Sequence, residues 1–160
     1  MMKLTGDTVM TFDLESFRLA MRTWTTGVAV LMAGYENESY GMTVNSFTSL
    51  ALDPPLVTVV LKSDTRVFEL VKKSRAFNVT ILSAEQQELA GNFAGKLHGA
   101  ERMEGRASLL DSGLVRLDCR VVHTYAAGVN TLIVAEVIEA RVHSTENPLV
   151  YHNRGYHQLA

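Results

Sequence analysis

Two neighbouring stretches of the chain are dense in short hydrogen-bonding side chains: Gly41–Leu50, "GMTVNSFTSL", and Lys62–Arg66, "KSDTR". In the first, Thr43, Asn45, Ser46, Thr48 and Ser49 place donors and acceptors at roughly alternate positions where a strand gives out. Short, stiff groups of this kind match the edge of a flat heteroaromatic ring that carries carbonyls and ring nitrogens. The same residues could instead only satisfy the backbone of a strand end and turn. In the second stretch, Ser63 and Thr65 stand at the mouth of an expected helix, where unpaired amides and the helix dipole attract an anion such as a phosphate. Lys62 and Arg66 add positive charge, whereas Asp64 must point away or act as the cap. A plain helix start capped by Ser63 or Asp64 is the other reading.

Other chemistries find little support. No GxGxxG follows a strand, and neither a Walker loop nor a GxSxG nucleophile elbow occurs. The five histidines, at 98, 123, 143, 152 and 157, lack HxxxH or HExxH spacing, so each reads as a surface or structural residue. Cys119 is the lone cysteine: it excludes an intrachain disulfide and a cysteine-based zinc site. Its place on the apolar face of a strand predicts a buried, inert thiol. No residue stands out as a catalytic acid, base or nucleophile.

The elements that must position these side chains follow from periodicity. Asp13 reads as an N-cap, followed by Phe17, Ala20, Met21 and Trp24 on one helical face, with Gly27 ending the helix. Val28–Ala33 is a buried strand, Gly34–Gly41 a polar hairpin connection, and Tyr40–Val44 the returning partner. Asp53-Pro54-Pro55 interrupts regular structure before a strand over 56–62. A helix over 64–73, a strand over 76–82 and a capping box at Ser83–Gln86, opening a helix toward Phe93, come next. In the last third, Val115, Leu117, Cys119 and Val121 alternate with polar residues, as do Ile138, Ala140 and Val142 within 129–143. Such alternation favours antiparallel pairing. Six or seven strands with three short helices, lacking any βαβ rhythm, predict a mainly β fold: an antiparallel barrel with helices packed outside it.

The chain has 160 residues, 47% of them apolar and 20% charged, an ordinary globular balance. One domain is expected over 13–160, preceded by a poorly ordered extension at 1–12. A net charge of −2 without a basic stripe argues against nucleic acid or an anionic membrane as partner. Neither a signal-peptide pattern nor a long apolar run is seen, so a cytoplasmic protein is expected.

In this order, "TTGVAVLMA", "GMTVNSFTSLALDPPLVTVVLKSDT", "FNVTIL…Q..LAGNFAG" and "NPLVYHNRGYHQL" resemble the short-chain flavin reductase family, from about Phe17 to Leu159. The resemblance implies an FMN-binding split-barrel fold and hydride transfer from NADH or NADPH to FMN or FAD. It also implies a homodimer that supplies reduced flavin to a flavin-dependent monooxygenase. By position, Thr43, Asn45, Ser46, Ser49 and Leu50 match the segment along the flavin ring and ribityl chain. Ser63 and Thr65 match the phosphate-binding pair, and Asn92, Phe93 and Ala94 match the corner that closes over the flavin. Tyr151 and Tyr156 match the "Y..RGY" signature near the nicotinamide; as plain residues they could equally be aromatics packing the chain end. One departure is Gly128-Val129-Asn130, where family members often read Gly-Asp-His and the histidine helps seat the nicotinamide. Asn130 can hydrogen-bond but carries no charge.

Hydride transfer needs stacking and alignment more than a protein acid or base, which suits a chain without an obvious catalytic cluster. Two rivals remain. One is a flavin-binding protein for storage, sensing or electron transfer without efficient NAD(P)H turnover. The other is a split-barrel oxidase related to the pyridoxamine phosphate enzymes, which would need a second basic phosphate set.

Overall fold

The structure, a computed structural model, describes residues 13–96 and 107–159. The extension at 1–12 and His98 lie outside the described residues. Helix α1 (Leu14–Arg22) begins at Asp13, whose carboxylate accepts from the amides of Glu15 and Ser16, both at 2.9 Å. It stops at Arg22 rather than at Gly27, and Gly27 instead belongs to the short strand β1 (Thr26–Gly27). None of its residues is buried, and Ala20 and Met21 of the face read from the sequence are exposed.

Strands β2 (Ala29–Tyr35) and β3 (Glu38–Val44) form a tighter hairpin than the sequence suggests, with Glu36 in the left-handed region at φ 55°. After Asn45-Ser46-Phe47 come β4 (Thr48–Leu52) and β5 (Pro55–Lys62). Helix α2 (Arg66–Ser74) starts on Thr65, not on Ser63 or Asp64: Thr65 Oγ1 accepts from the Phe68 amide at 3.3 Å. Next come β6 (Ala76–Ile81), a 3-10 turn (Ala84–Gln86), helix α3 (Gln87–Gly91) and a wide turn (Asn92–Lys96). The capping box is present, with the Ser83 amide donating to Gln86 Oε1 at 3.0 Å. Helix α4 (Ala107–Leu110), the long strands β7 (Val115–Ala127) and β8 (Asn130–Val142), and the hairpin β9 (Val150–His152)–β10 (Gly155–His157) complete the described chain.

Seven strands form one antiparallel sheet in the order β3-β2-β6-β7-β8-β5-β4. Its edge strands, β3 and β4, are joined by only three residues. Laid flat, seven strands would hold those edges about 29 Å apart, whereas the linker reaches about 14 Å. The sheet must therefore curl until the end of β3 meets the start of β4, which produces the expected antiparallel barrel.

Period-2 alternation divides β2 between two cores. Ala29, Leu31 and Ala33 face the inner one, with Val57, Val59 and Leu61 of β5, Phe77 and Val79 of β6, and Ile133 and Ala135 of β8. Val67, Phe68, Leu70 and Val71 of α2 join that inner cluster. Val28, Val30 and Met32 face the other way, onto Leu82, Leu89, Ala90, Phe93 and Leu149. A small sheet, β1-β9-β10, lies against this outer cluster through Tyr151 and Tyr156. The tail of β8 corrects the sequence reading. Val137 packs on the inner core, so Ile138 stands on the opposite face and is 57% exposed.

Candidate functional site

The end of β3, the turn after α3 and the β9–β10 hairpin converge on a cleft of about 320 Å³. Met42, Thr43 and Asn45 line one side, Phe93, Ala94 and Gly95 another, and Tyr151 and Tyr156 a third, with Val28 at the base.

Each wall has a local cause. Thr43 Oγ1 donates to the Ala90 carbonyl at 2.6 Å, which ties the end of α3 to β3. Phe93 is 1% exposed and lies against Gly41, where a Cβ would come within 2.8 Å of the ring. Gly95, at φ 107°, then turns the chain away, a backbone conformation that side-chain-bearing residues rarely adopt. Tyr151 and Tyr156 are cross-strand partners with ring centroids 5.7 Å apart in an edge-on arrangement. Burial raises the Tyr156 hydroxyl pKa, with Tyr151 adding to it, so the phenol stays protonated and able to donate. The Asn45 side chain is exposed and makes no hydrogen bond among the described residues.

The cleft thus gathers six of the candidates: Thr43, Asn45, Phe93, Ala94, Tyr151 and Tyr156. The others lie elsewhere in the single chain. Ser46 Oγ is engaged with the backbone of Val60. Ser49 and Leu50 are exposed on edge strand β4. Asn92 caps the C-terminal end of α3. Ser63 Oγ shares a 2.9 Å hydrogen bond with Thr131 Oγ1, and Thr65 caps α2. Asn130 begins β8 opposite Lys62 and does not line the cleft.

The charges around Ser63 and Thr65 are already paired. Lys62 Nζ holds Asp64 at 2.7 Å, and Arg66 bridges Glu38 and Glu69. Arg66 lowers the Glu38 carboxyl below its ordinary value, and Lys62 does the same to Asp64. An anion at this helix start would meet hydroxyls and amides but, among the described residues Lys62 and Arg66, no unpaired cation. Cys119 is buried and free, and burial pushes its thiol up to about 12. Among the described residues, no group of three His, Cys, Asp or Glu could hold a metal ion.

Sequence reasoning missed Val28, Met42 and Gly95 as walls. Gly95 was the legible one, since a glycine directly after Phe93-Ala94 signals a sharp change of direction.

A second cleft, of about 610 Å³, opens beside the first and shares Asn45 and Tyr151 with it. Its remaining walls come from α1, Trp24, Thr26 and the Asn153–Arg154 turn.

A family model described as the flavin reductase like domain matches residues 21–160. The reductase component of 4-hydroxyphenylacetate 3-monooxygenase from Thermus thermophilus is 33% identical, the match covering 91% of this chain and 96% of that protein. The NADH-dependent FMN reductase AsuE2 of Streptomyces nodosus subsp. asukaensis is 36% identical, with coverage of 89% and 83%. Among solved structures, the flavin reductase PheA2 superposes with a TM-score of 0.82 at 31% identity, over 93% of this chain and 99% of that one. The NADH:FAD oxidoreductase SgcE6 of Streptomyces globisporus, solved with NAD and FAD fragments, has a TM-score of 0.82 at 27% identity, over 92% and 93%.

Proposed function

The chain belongs to the flavin reductase like domain family, and from that premise we propose that it transfers hydride from NADH or NADPH to FMN or FAD. The observation that carries the reading is the cleft between Thr43–Asn45, Phe93–Gly95 and Tyr151–Tyr156. It has apolar walls for a ring system, an uncommitted amide at Asn45 and, among the described residues, no carboxylate or imidazole in its lining. Its volume lies at the lower end of ligand clefts, about 300–1,000 Å³, and it shares Asn45 and Tyr151 with the larger one beside it.

A flavin bound there supplies the hydride-accepting chemistry. The chain's own residues hold position and exclude water. Val28, Met42 and Phe93 offer apolar surface to a ring face. Asn45 offers both a donor and an acceptor to a ring edge, and the Thr43 hydroxyl keeps a lone pair after donating to Ala90. Tyr151 and Tyr156 bound the side from which a nicotinamide would approach. Ser63 and Thr65 remain the proposed contacts for the flavin phosphate, Ser46, Ser49, Leu50 and Asn92 lie along the same proposed binding track, and Asn130 is a proposed nicotinamide contact.

The reading treats residues 13–160 as one domain. Several relatives are named as reductase components of monooxygenases, which supports a flavin-dependent monooxygenase as the acceptor of reduced flavin. A homodimer is part of the proposal, supported by apolar side chains exposed in the single chain, Leu14 and Leu19 on α1 and Leu50 and Leu52 on β4. A cytoplasmic setting, where NAD(P)H is abundant, fits the lone free thiol; no helix among the described residues is long and apolar enough to cross a membrane.

The alternative of flavin binding without turnover draws on Asn130, which cannot carry the charge of a histidine. Mixing the protein with FMN or FAD and following the NADH or NADPH absorbance band separates the two. Protein-dependent loss of that band is expected, with a raised flavin KM in Asn45→Ala. No loss with either nicotinamide would sink the reductase reading.

A further inference from the structure

A third cleft, of about 460 Å³, shares no lining residue with the other two. It exists because β6 and β7 are paired over only part of their length. The pairing ends with Ala76 opposite Arg120, whereas β7 runs on to Ala127. Arg75 adds a last rung: its carbonyl accepts from the Val121 amide at 2.9 Å, and its guanidinium donates to the Val121 carbonyl at 3.3 Å. Beyond that rung, β7 has no strand on this side among the described residues, and α2 faces it across the gap.

The walls divide by chemistry. Phe68 and Val71 of α2 and Val121 and Ala126 of β7 are apolar, and Lys72 and Arg75 supply two cations with no carboxylate in the lining. Among the described residues neither cation has an ion-pair partner; Lys72 Nζ lies 5.9 Å from the Phe68 ring centroid. Lys62 and Arg66, by contrast, are both paired. Arg75 also holds the left-handed C-cap of α2 at φ 58°, a position that favours glycine or asparagine. Two unpaired cations beside an apolar floor match an anion with a hydrocarbon body.

Two hydrogen bonds tie this cleft to the flavin reading. Thr131, on its wall, shares the 2.9 Å bond with Ser63, and Phe68, also on its wall, has its amide capped by Thr65 Oγ1 at 3.3 Å. Ser63 and Thr65 are the proposed contacts for the flavin phosphate. An apolar body lying on Thr131 excludes water that competes for its hydroxyl, tightens its bond to Ser63 and withdraws Ser63 from a phosphate.

We propose that the third cleft binds a small monocarboxylate with an apolar body, its carboxylate held by Lys72 and Arg75, and that occupancy lowers flavin affinity through Thr131 and Ser63. The coupling rests on the reductase reading; the site itself does not.

The test titrates the full-length chain with octanoate, followed by NMR, with octanol as the uncharged control. Octanoate should saturate at about 1 mM or below, and octanol should show no saturation. Lys72→Met keeps the apolar stem and Arg75→Gly relieves the left-handed cap, so an unchanged melting temperature separates loss of binding from loss of fold. Each should weaken octanoate about tenfold, the loss of one charge-assisted contact. Saturating octanoate should raise the FMN dissociation constant about fivefold, and by linkage FMN should weaken octanoate by the same factor. Thr131→Val should bind octanoate and lose that coupling. Octanoate that binds no better than octanol, or equally well to wild type, Lys72→Met and Arg75→Gly, would overturn the site. An FMN affinity that octanoate leaves unchanged would overturn the coupling. If the wild type binds neither FMN nor FAD, the reductase reading falls, while the octanoate titration still decides the site.

Discussion

Ser46 Oγ holds both backbone polar groups of Val60, donating to its carbonyl at 3.0 Å and accepting from its amide at 3.1 Å. A side chain thereby continues along β5 the pairing that β4 begins at Thr48 opposite Thr58. Of the hydroxyls that suggested a ligand site, this one serves the barrel. Thr43, three residues earlier, reaches the cleft.

Ser46→Ala should therefore act on stability. It leaves a part-buried amide and carbonyl unpaired, which costs about 1–3 kcal/mol. Urea unfolding should show that loss, while Ser49→Ala on exposed β4 stays within about 0.5 kcal/mol of wild type. Equal midpoints for Ser46→Ala and wild type would remove Ser46 from the closure.

Gly41→Ala should disturb the cleft from behind. The added Cβ would come within 2.2 Å of Met32 Sδ and 2.8 Å of the Phe93 ring. The thioether can swing, but the ring is enclosed. Overpacking of this kind costs about 1–3 kcal/mol. Because Phe93 carries Ala94 and Gly95, flavin affinity should fall together with the melting temperature. A lower melting temperature with unchanged FMN fluorescence quenching would separate the ring from the site.

Glu38 links the hairpin edge to α2 through Arg66, which lowers its carboxyl below the ordinary value of 4.5. A lowered folded-state pKa means that the unfolded chain takes up the proton first as pH falls. The contribution is thus complete above about pH 4.5 and is lost as pH drops through the folded value. The stability gap between wild type and Glu38→Gln should be widest at neutral pH and shrink in acid. A gap that is constant across that range would show the pair to be inert.

Much of the fold was legible because its signals are local. Asp13 caps α1 as its side chain dictates, the Ser83–Gln86 box forms, and alternation along β2 assigns each residue to a core. What stayed hidden depends on partners distant in sequence. Thr65, rather than Ser63 or Asp64, caps α2: Ser63 is drawn to Thr131, and Asp64 to Lys62. The outward turn of Ile138 follows from Val137 taking the inner face, a choice between two parities that alternation leaves open. The second cleft escaped notice because Arg18, Arg22 and Trp24 come from one end of the chain and Asn153 and Arg154 from the other, joined only when β1 pairs with β9.

The three residues that bridge the sheet's edges also constrain the order of assembly. β5 leaves the ribosome long before its partner β8, and Lys62 must wait for Asn130. Until then β5 has β4 on one side and an open hydrogen-bonding row on the other, the condition in which a nascent strand recruits a stranger. Chains truncated ahead of residue 130 should therefore be captured by holdase chaperones, and a translational pause before β8 should hurt yield more than one after it.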